Sequence, residues 1–161
     1  GERPAIVRPG GVTLEMLTAV LPGVRVAETA MRELKTGEVA LSPGMRHTHY
    51  APRGELTLVE GEPGRVEAEC KRLYLAAKAS GKAVCLLVAR ERLPVYEGFQ
   101  SYALGSLQAP ETMAHTLFAA LRQMDADGVE VIVCEAVESS GIGLAVMNRL
   151  CRAAGFRIVG V

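Results

Sequence analysis

Apolar and polar positions follow two different rhythms along this chain, and the second begins near residue 55. Leu56-Thr57-Leu58-Val59 alternates, which predicts an edge or half-buried strand. Pro63-Gly64 then opens a helix in which Val66, Cys70, Leu73 and Ala77 recur at helical spacing, and Gly81 stops it. Ala83-Val84-Cys85-Leu86-Leu87-Val88-Ala89 is apolar throughout, as a central parallel strand covered on both faces must be. A short strand follows over 100–104. Pro110 suits the first position of the next helix, with Met113, Leu117, Leu121 and Met124 on one face. Asp127-Gly128 turns the chain into another buried strand over 129–134. Gly141-Ile142-Gly143 leads to a helix carrying Leu144, Met147, Cys151 and Ala154 on one side. Gly155 ends it, and residues 156–159 make a last strand. Strands and helices alternating at this spacing predict an α/β fold in three layers, with a mainly parallel sheet.

Residues 1–54 lack this rhythm. They hold Pro4, Pro9, Pro22, Pro43 and Pro52 with Gly10, Gly11, Gly23, Gly37, Gly44 and Gly54, and such punctuation predicts extended segments and turns. One short helix is expected over 13–21. Thr13 can cap its start, Glu15 suits its first turn, and Pro22-Gly23 ends it. The tract from Ser42 to Pro52 is too long and irregular for a mere connector, and long ordered loops are usually functional.

Composition narrows the function classes. A length of 161 residues suits one domain with an appendage. With 49% apolar and 22% charged residues, disorder and collagen-like structure are excluded. The 18 basic and 18 acidic side chains cancel, which disfavours autonomous nucleic-acid binding. Aromatics at 4%, without Trp, argue against a base-stacking surface. No apolar run is long enough to span a membrane, and no signal-peptide pattern opens the sequence. Cys70, Cys85, Cys134 and Cys151 are scattered through apolar segments, as expected of buried, reduced thiols in a cytoplasmic protein. The sequence opens on Gly1 rather than Met, which leads us to expect an excised piece of something longer.

Several residues could carry chemistry. The Gly141-x-Gly143 turn follows a strand and opens a helix, where a phosphate could sit on free backbone N–H groups. The third glycine of a dinucleotide fingerprint is absent, with Val146 in that stretch, so a plain tight turn explains the pair as well or better. Ser139-Ser140 are expected to cap the helix, and Glu135 and Glu138 to face solvent at a strand's end. His47 and His49 could be two metal ligands, but no third is apparent, and His115 is expected on a helix, at its surface or partly buried. Segment 42–52 gathers Arg46, His47, His49 and Tyr50 between prolines, a set able to contact phosphates and stack on a base. Read without a family, it could equally be a surface linker. Arg8 beside Pro9-Gly10 adds an isolated cation in stiff backbone.

Ser42-Pro43-Gly44-Met45-Arg46, followed by His49-Tyr50-Ala51-Pro52, resembles the linker signature of the long, two-domain L-threonylcarbamoyladenylate synthases. Ile6 to Thr13 resembles the last strand and exit of that family's YrdC-like catalytic domain. Leu117 to Asp125 and Gly141 to Leu150 resemble signature helices of its C-terminal domain. The resemblance covers the chain in order. His47 stands where the family commonly has Tyr, and Thr48 where Arg often appears.

The resemblance implies a layout in which residues 1–12 are the tail of a catalytic domain, 13–54 a linker or lid, and 55–161 a Rossmann-like C-terminal domain. It implies that Arg8, Arg46, His47, His49 and Tyr50 meet a nucleotide shared with the catalytic domain, while Pro43, Gly44 and Pro52 act as hinges. ATP with Mg would belong to the full-length protein, with neither expected on this chain alone. No catalytic residue and no resident metal are expected here. The implied partners are the chain's own YrdC-like catalytic domain and, further out, the downstream threonylcarbamoyl transferase. The tRNA is met only indirectly, and no membrane is involved. Two other readings stand beside this one: a free-standing nucleotide or phosphate binder built on Gly141 and Gly143, and a protein-interaction module.

Overall fold

The structure is a computed structural model that describes residues 3–42 and 51–161. At the front, β1 (Ala5–Ile6) pairs in parallel with β2 (Arg25–Val26), and α1 (Leu14–Val20) lies between them in sequence. Thr13 caps α1 as expected, its hydroxyl accepting from the Met16 N–H at 3.2 Å. A 3-10 turn over Glu28–Ala30 buries Ala30 completely.

The later apolar runs become β3 (Glu55–Glu60), β4 (Val84–Val88), β5 (Ser101–Ala103), β6 (Val131–Glu135) and β7 (Ile158–Gly160). They form one sheet in the order β5-β4-β6-β3-β7, with every neighbouring pair parallel. The periodic stretches become α2 (Pro63–Ala79), α3 (Pro110–Ala126) and α4 (Ile142–Ala153). Val84, Leu86 and Val88 pack with Val66, Cys70 and Tyr74 of α2 on one face. Cys85 and Leu87 pack on the other face with Leu117 and Leu121 of α3 and Val146 and Leu150 of α4. Both faces are covered, which is why β4 has no polar position. The three-layer parallel expectation holds. The strand order has its own signature: β6 enters between β3 and β4 rather than beyond them.

Residues 56–59 correct an expectation. Their alternation suggested an edge or half-buried strand, yet β3 lies between β6 and β7 with Leu56, Thr57, Leu58 and Val59 all buried. A single buried threonine mimics a solvent-facing period. The true edges are β5 and β7, each three residues long, and short edges limit unwanted strand pairing.

Candidate functional site

The front segment and the sheet domain meet on α4, whose start carries no side-chain cap of its own. Ser139 and Ser140 were expected to supply one and do not. Ser140 offers only its carbonyl, which accepts from the Gly143 N–H at 3.0 Å. The cap arrives from far away in sequence: Oε1 of Glu15, on α1, accepts from the Gly141 N–H at 3.2 Å. A carboxylate there satisfies an orphan donor and the positive end of the helix dipole. Backbone hydrogen bonds, from its own N–H and then from that of Gly141, hold the Glu15 carboxyl below its ordinary range. So the turn where a phosphate could sit, and where a plain tight turn is the better reading, has its first N–H on a carboxylate of the same chain. Gly143 has a steric reason to be glycine, since a Cβ there would lie 2.1 Å from the Glu138 carbonyl oxygen. Gly141 takes φ +55°, a conformation that favours glycine.

Further along α4, three side chains hold the front segment by its backbone. Asn148 is buried and donates from Nδ2 to the Ala30 carbonyl. Arg149 reaches the Pro9 carbonyl at 3.4 Å and its own helix at Ala145, 2.9 Å away. Arg152 lies 3.5 Å from the carbonyls of Thr29 and Ala30, with its guanidinium over the Phe156 ring. Burial lowers both arginine pKa values, and the nearby charge of Arg8 adds to that. Arg8 itself is exposed beside buried Pro9. Within the front segment, an open cavity of about 630 Å³ is lined by Arg3, Pro4, Ala5, Arg25, Ala27 and Leu41.

Pro52 is half-buried, and the chain is gripped immediately after it. The Arg53 N–H donates to Asp125 Oδ1 at 2.8 Å, and a Cβ on Gly54 would fall 2.6 Å from the Val129 carbonyl oxygen. Pro43, Gly44, Arg46, His47, His49 and Tyr50 lie outside the described residues. Among the described residues no set of three or more His, Cys, Asp or Glu side chains comes together to hold a metal ion. His115 is exposed on α3, as expected. All four cysteines are free and buried, and burial pushes the Cys70 thiol up to about 12.

Glu135 is the second correction. Expected in solvent, it is 9% exposed at the carboxyl end of β6. Arg92 donates to it from Nε at 3.1 Å and from Nη2 at 3.1 Å, and the Tyr96 hydroxyl donates to it as well. Burial and this carboxylate raise the Tyr96 phenol far above its ordinary value, and Glu67 stands 3.9 Å from Nη2 of Arg92. The cluster ties the 3-10 segment Arg90–Tyr96 to the end of β6. Its donors and acceptors satisfy one another, so its role is to fix that crossover. Sequence offered no signal for it, because 43 residues separate Arg92 from Glu135.

Comparison with known proteins places this geometry. Residues 12–155 match the family described as threonylcarbamoyl-AMP synthase, C-terminal domain. The threonylcarbamoyl-AMP synthase of Pyrococcus abyssi is 39% identical over 158 residues, covering 98% of this chain and 44% of that protein. The Bacillus subtilis synthase is 36% identical, covering 97% of this chain and 43% of its own length. The crystal structure of P. abyssi Sua5 complexed with L-threonine superposes with a TM-score of 0.83 at 38% identity, covering 98% of this chain and 44% of that one. The chain thus spans less than half the length of the curated relatives it matches. By its fold, its α4 signature and the match across almost its whole length, the chain belongs to the family of threonylcarbamoyl-AMP synthase C-terminal domains.

Proposed function

We propose that this chain is the accessory, lid-bearing part of a two-domain threonylcarbamoyl-AMP synthase. Such an enzyme joins threonine, bicarbonate and ATP into threonylcarbamoyl-AMP and pyrophosphate. The observation that carries the reading is the extent of the family match, which runs from α1 through the linker to the end of α4. The docking of residues 9–30 on α4 supports it, because a lid needs a fixed base. A carbamoyl-adenylate is labile to water, so a segment that closes over it protects the intermediate.

In this reading the catalytic domain holds ATP with its Mg ion as substrate. Arg8, Arg46, His47, His49 and Tyr50 approach the nucleotide from the linker, and Pro43, Gly44 and Pro52 are its hinges. Gly141 and Gly143 serve the α4 turn rather than a phosphate. Threonine is the amino-acid substrate, in keeping with the ligand of the P. abyssi protein. The product passes to a downstream threonylcarbamoyl transferase and so to the adenosine beside the tRNA anticodon. This chain meets tRNA only indirectly, a role that equal numbers of acidic and basic side chains suit. Among the described residues no helix is long and apolar enough to cross a membrane, and four buried free thiols suit the cytoplasm.

The test is threonine- and bicarbonate-dependent release of pyrophosphate from ATP. The full-length protein should be active and this chain alone inactive. The catalytic part without this chain should be slower by at least about tenfold, the loss expected when a water-excluding closure is removed. A catalytic part that matches the full-length protein would leave the accessory role without support.

A further inference from the structure

Nine large apolar side chains are exposed among the described residues, and six of them fall within residues 3–42: Val12, Met16, Val20, Leu21, Val39 and Leu41. The whole of 51–161 exposes three. Exposed apolar surface concentrated as it is at Val12, Met16, Val20 and Leu21 marks a contact that something else completes. The concentration is sharpest on α1, which buries none of its seven residues. Met16 and Val20 are 59% and 71% exposed, and their spacing of four sets them in one stripe along the helix, with Leu21 at its end and Val12, 60% exposed, just before its cap.

The rotation of α1 is fixed. Thr13 is buried at its cap, and Glu15 is committed to the Gly141 N–H. The half-buried side chains of α1 are Leu14 and Leu17, which share a face by their spacing of three, and the stripe lies off that face. Between residues 12 and 21 the only charged side chain is Glu15, so the outward face is uncharged. A helix this short is not stable alone in water, and an open apolar stripe gives it little tertiary support.

We propose that this stripe seats the catalytic domain of the same polypeptide, against an apolar surface on that domain. The inference rests on the function proposed above and adds the surface through which the two domains meet. Two observations choose this occupant. The family match is to a C-terminal domain and begins at residue 12, so α1 is the matched element nearest to whatever precedes that domain in its two-domain relatives. More than half of each of the P. abyssi and B. subtilis relatives lies outside the match, enough for a whole domain.

Hydrogen exchange on this chain alone and on the full-length two-domain protein tests the proposal. The amides of residues 17–21 should exchange at least about tenfold more slowly in the full-length protein. Met16→Glu with Val20→Glu should erase that difference while leaving the thermal midpoint of the 161-residue chain unchanged, and Met16→Leu should preserve it. Equal exchange in the two proteins overturns the proposal. So does a dimer of this chain that the double glutamate variant dissolves, because the stripe then belongs to a second copy. Pyrophosphate release measured on the same samples separates the two readings. Slowed exchange without activity sinks the proposed reaction and keeps the interface, whereas activity with unchanged exchange does the reverse.

Discussion

Every residue of β4 is buried, and none of α1 is. Both elements begin from good local signals: an apolar run in the first case, and a capped start with an acidic first turn in the second. They differ in what lies around them. β4 has a strand on each side and helices on both faces, so each of its side chains finds apolar partners within the chain. The front segment is held differently. Asn148, Arg149 and Arg152 grip its carbonyls, and Glu15 holds the start of α4 in return. Backbone contacts fix position without demanding a particular side chain. The central strands of the sheet find their partners within the chain, whereas the front segment is positioned but left open along α1.

Deleting core volume should break this contrast most clearly. Leu87 is wholly buried, and Leu87→Ala should cost about 3–4 kcal/mol in denaturant unfolding. Met16→Ala, on the open stripe, should stay within about 0.5 kcal/mol. Comparable losses from the two would dissolve the distinction between the regions. Glu135→Ala should come next. It leaves Arg92 and Tyr96 without their shared acceptor, at a cost of about 2–3 kcal/mol, reduced from the fully buried case because Arg92 keeps some contact with water. Unfolding at an unchanged midpoint would show that the cluster is dispensable.

Asn148→Ala should cost about 1–2 kcal/mol, the range for a buried group that loses its hydrogen-bond partner. Its particular signature should be local, with faster amide exchange over Glu28–Ala30 while β6 keeps its protection. Uniform acceleration across the sheet would mean that Asn148 supports the core rather than the front segment. The smallest effect concerns the turn that follows. Arg32 and the Lys35 N–H hold the Glu38 carboxyl at about 2, against an ordinary 4.5. The depressed value means that its contribution is full above 4.5 and lost as pH falls through about 2. Exchange of the Lys35 amide, corrected for its intrinsic pH dependence, should keep its protection at pH 4 and lose it near pH 2. Loss of protection between pH 6 and 5 would contradict the clasp.

The elements of the sheet domain were legible because burial leaves a period in the sequence. Met113, Leu117, Leu121 and Met124 recur as a buried helix face should, and all four line the core. β3 was misplaced because Thr57, one small polar residue, is compatible with either a buried or a solvated face. Contacts between distant positions left no period at all. Glu15 with Gly141, Asn148 with Ala30 and Arg92 with Glu135 are pairs of ordinary residues that only the folded chain brings together. The expectations drawn from residues 43–50 rest on their residue types and on resemblance, since those positions lie outside the described structure.

The most direct test of this two-region account is residue-resolved hydrogen exchange on the 161-residue chain by itself. Amides of β4 and β6 should exchange only through global unfolding, while those of Leu21 and Ala27 should exchange at least about a hundredfold faster through local release of the front segment. Front-segment amides protected as strongly as those of β6 would contradict it, because that segment would then be a finished part of the fold with nothing left for a partner domain to complete.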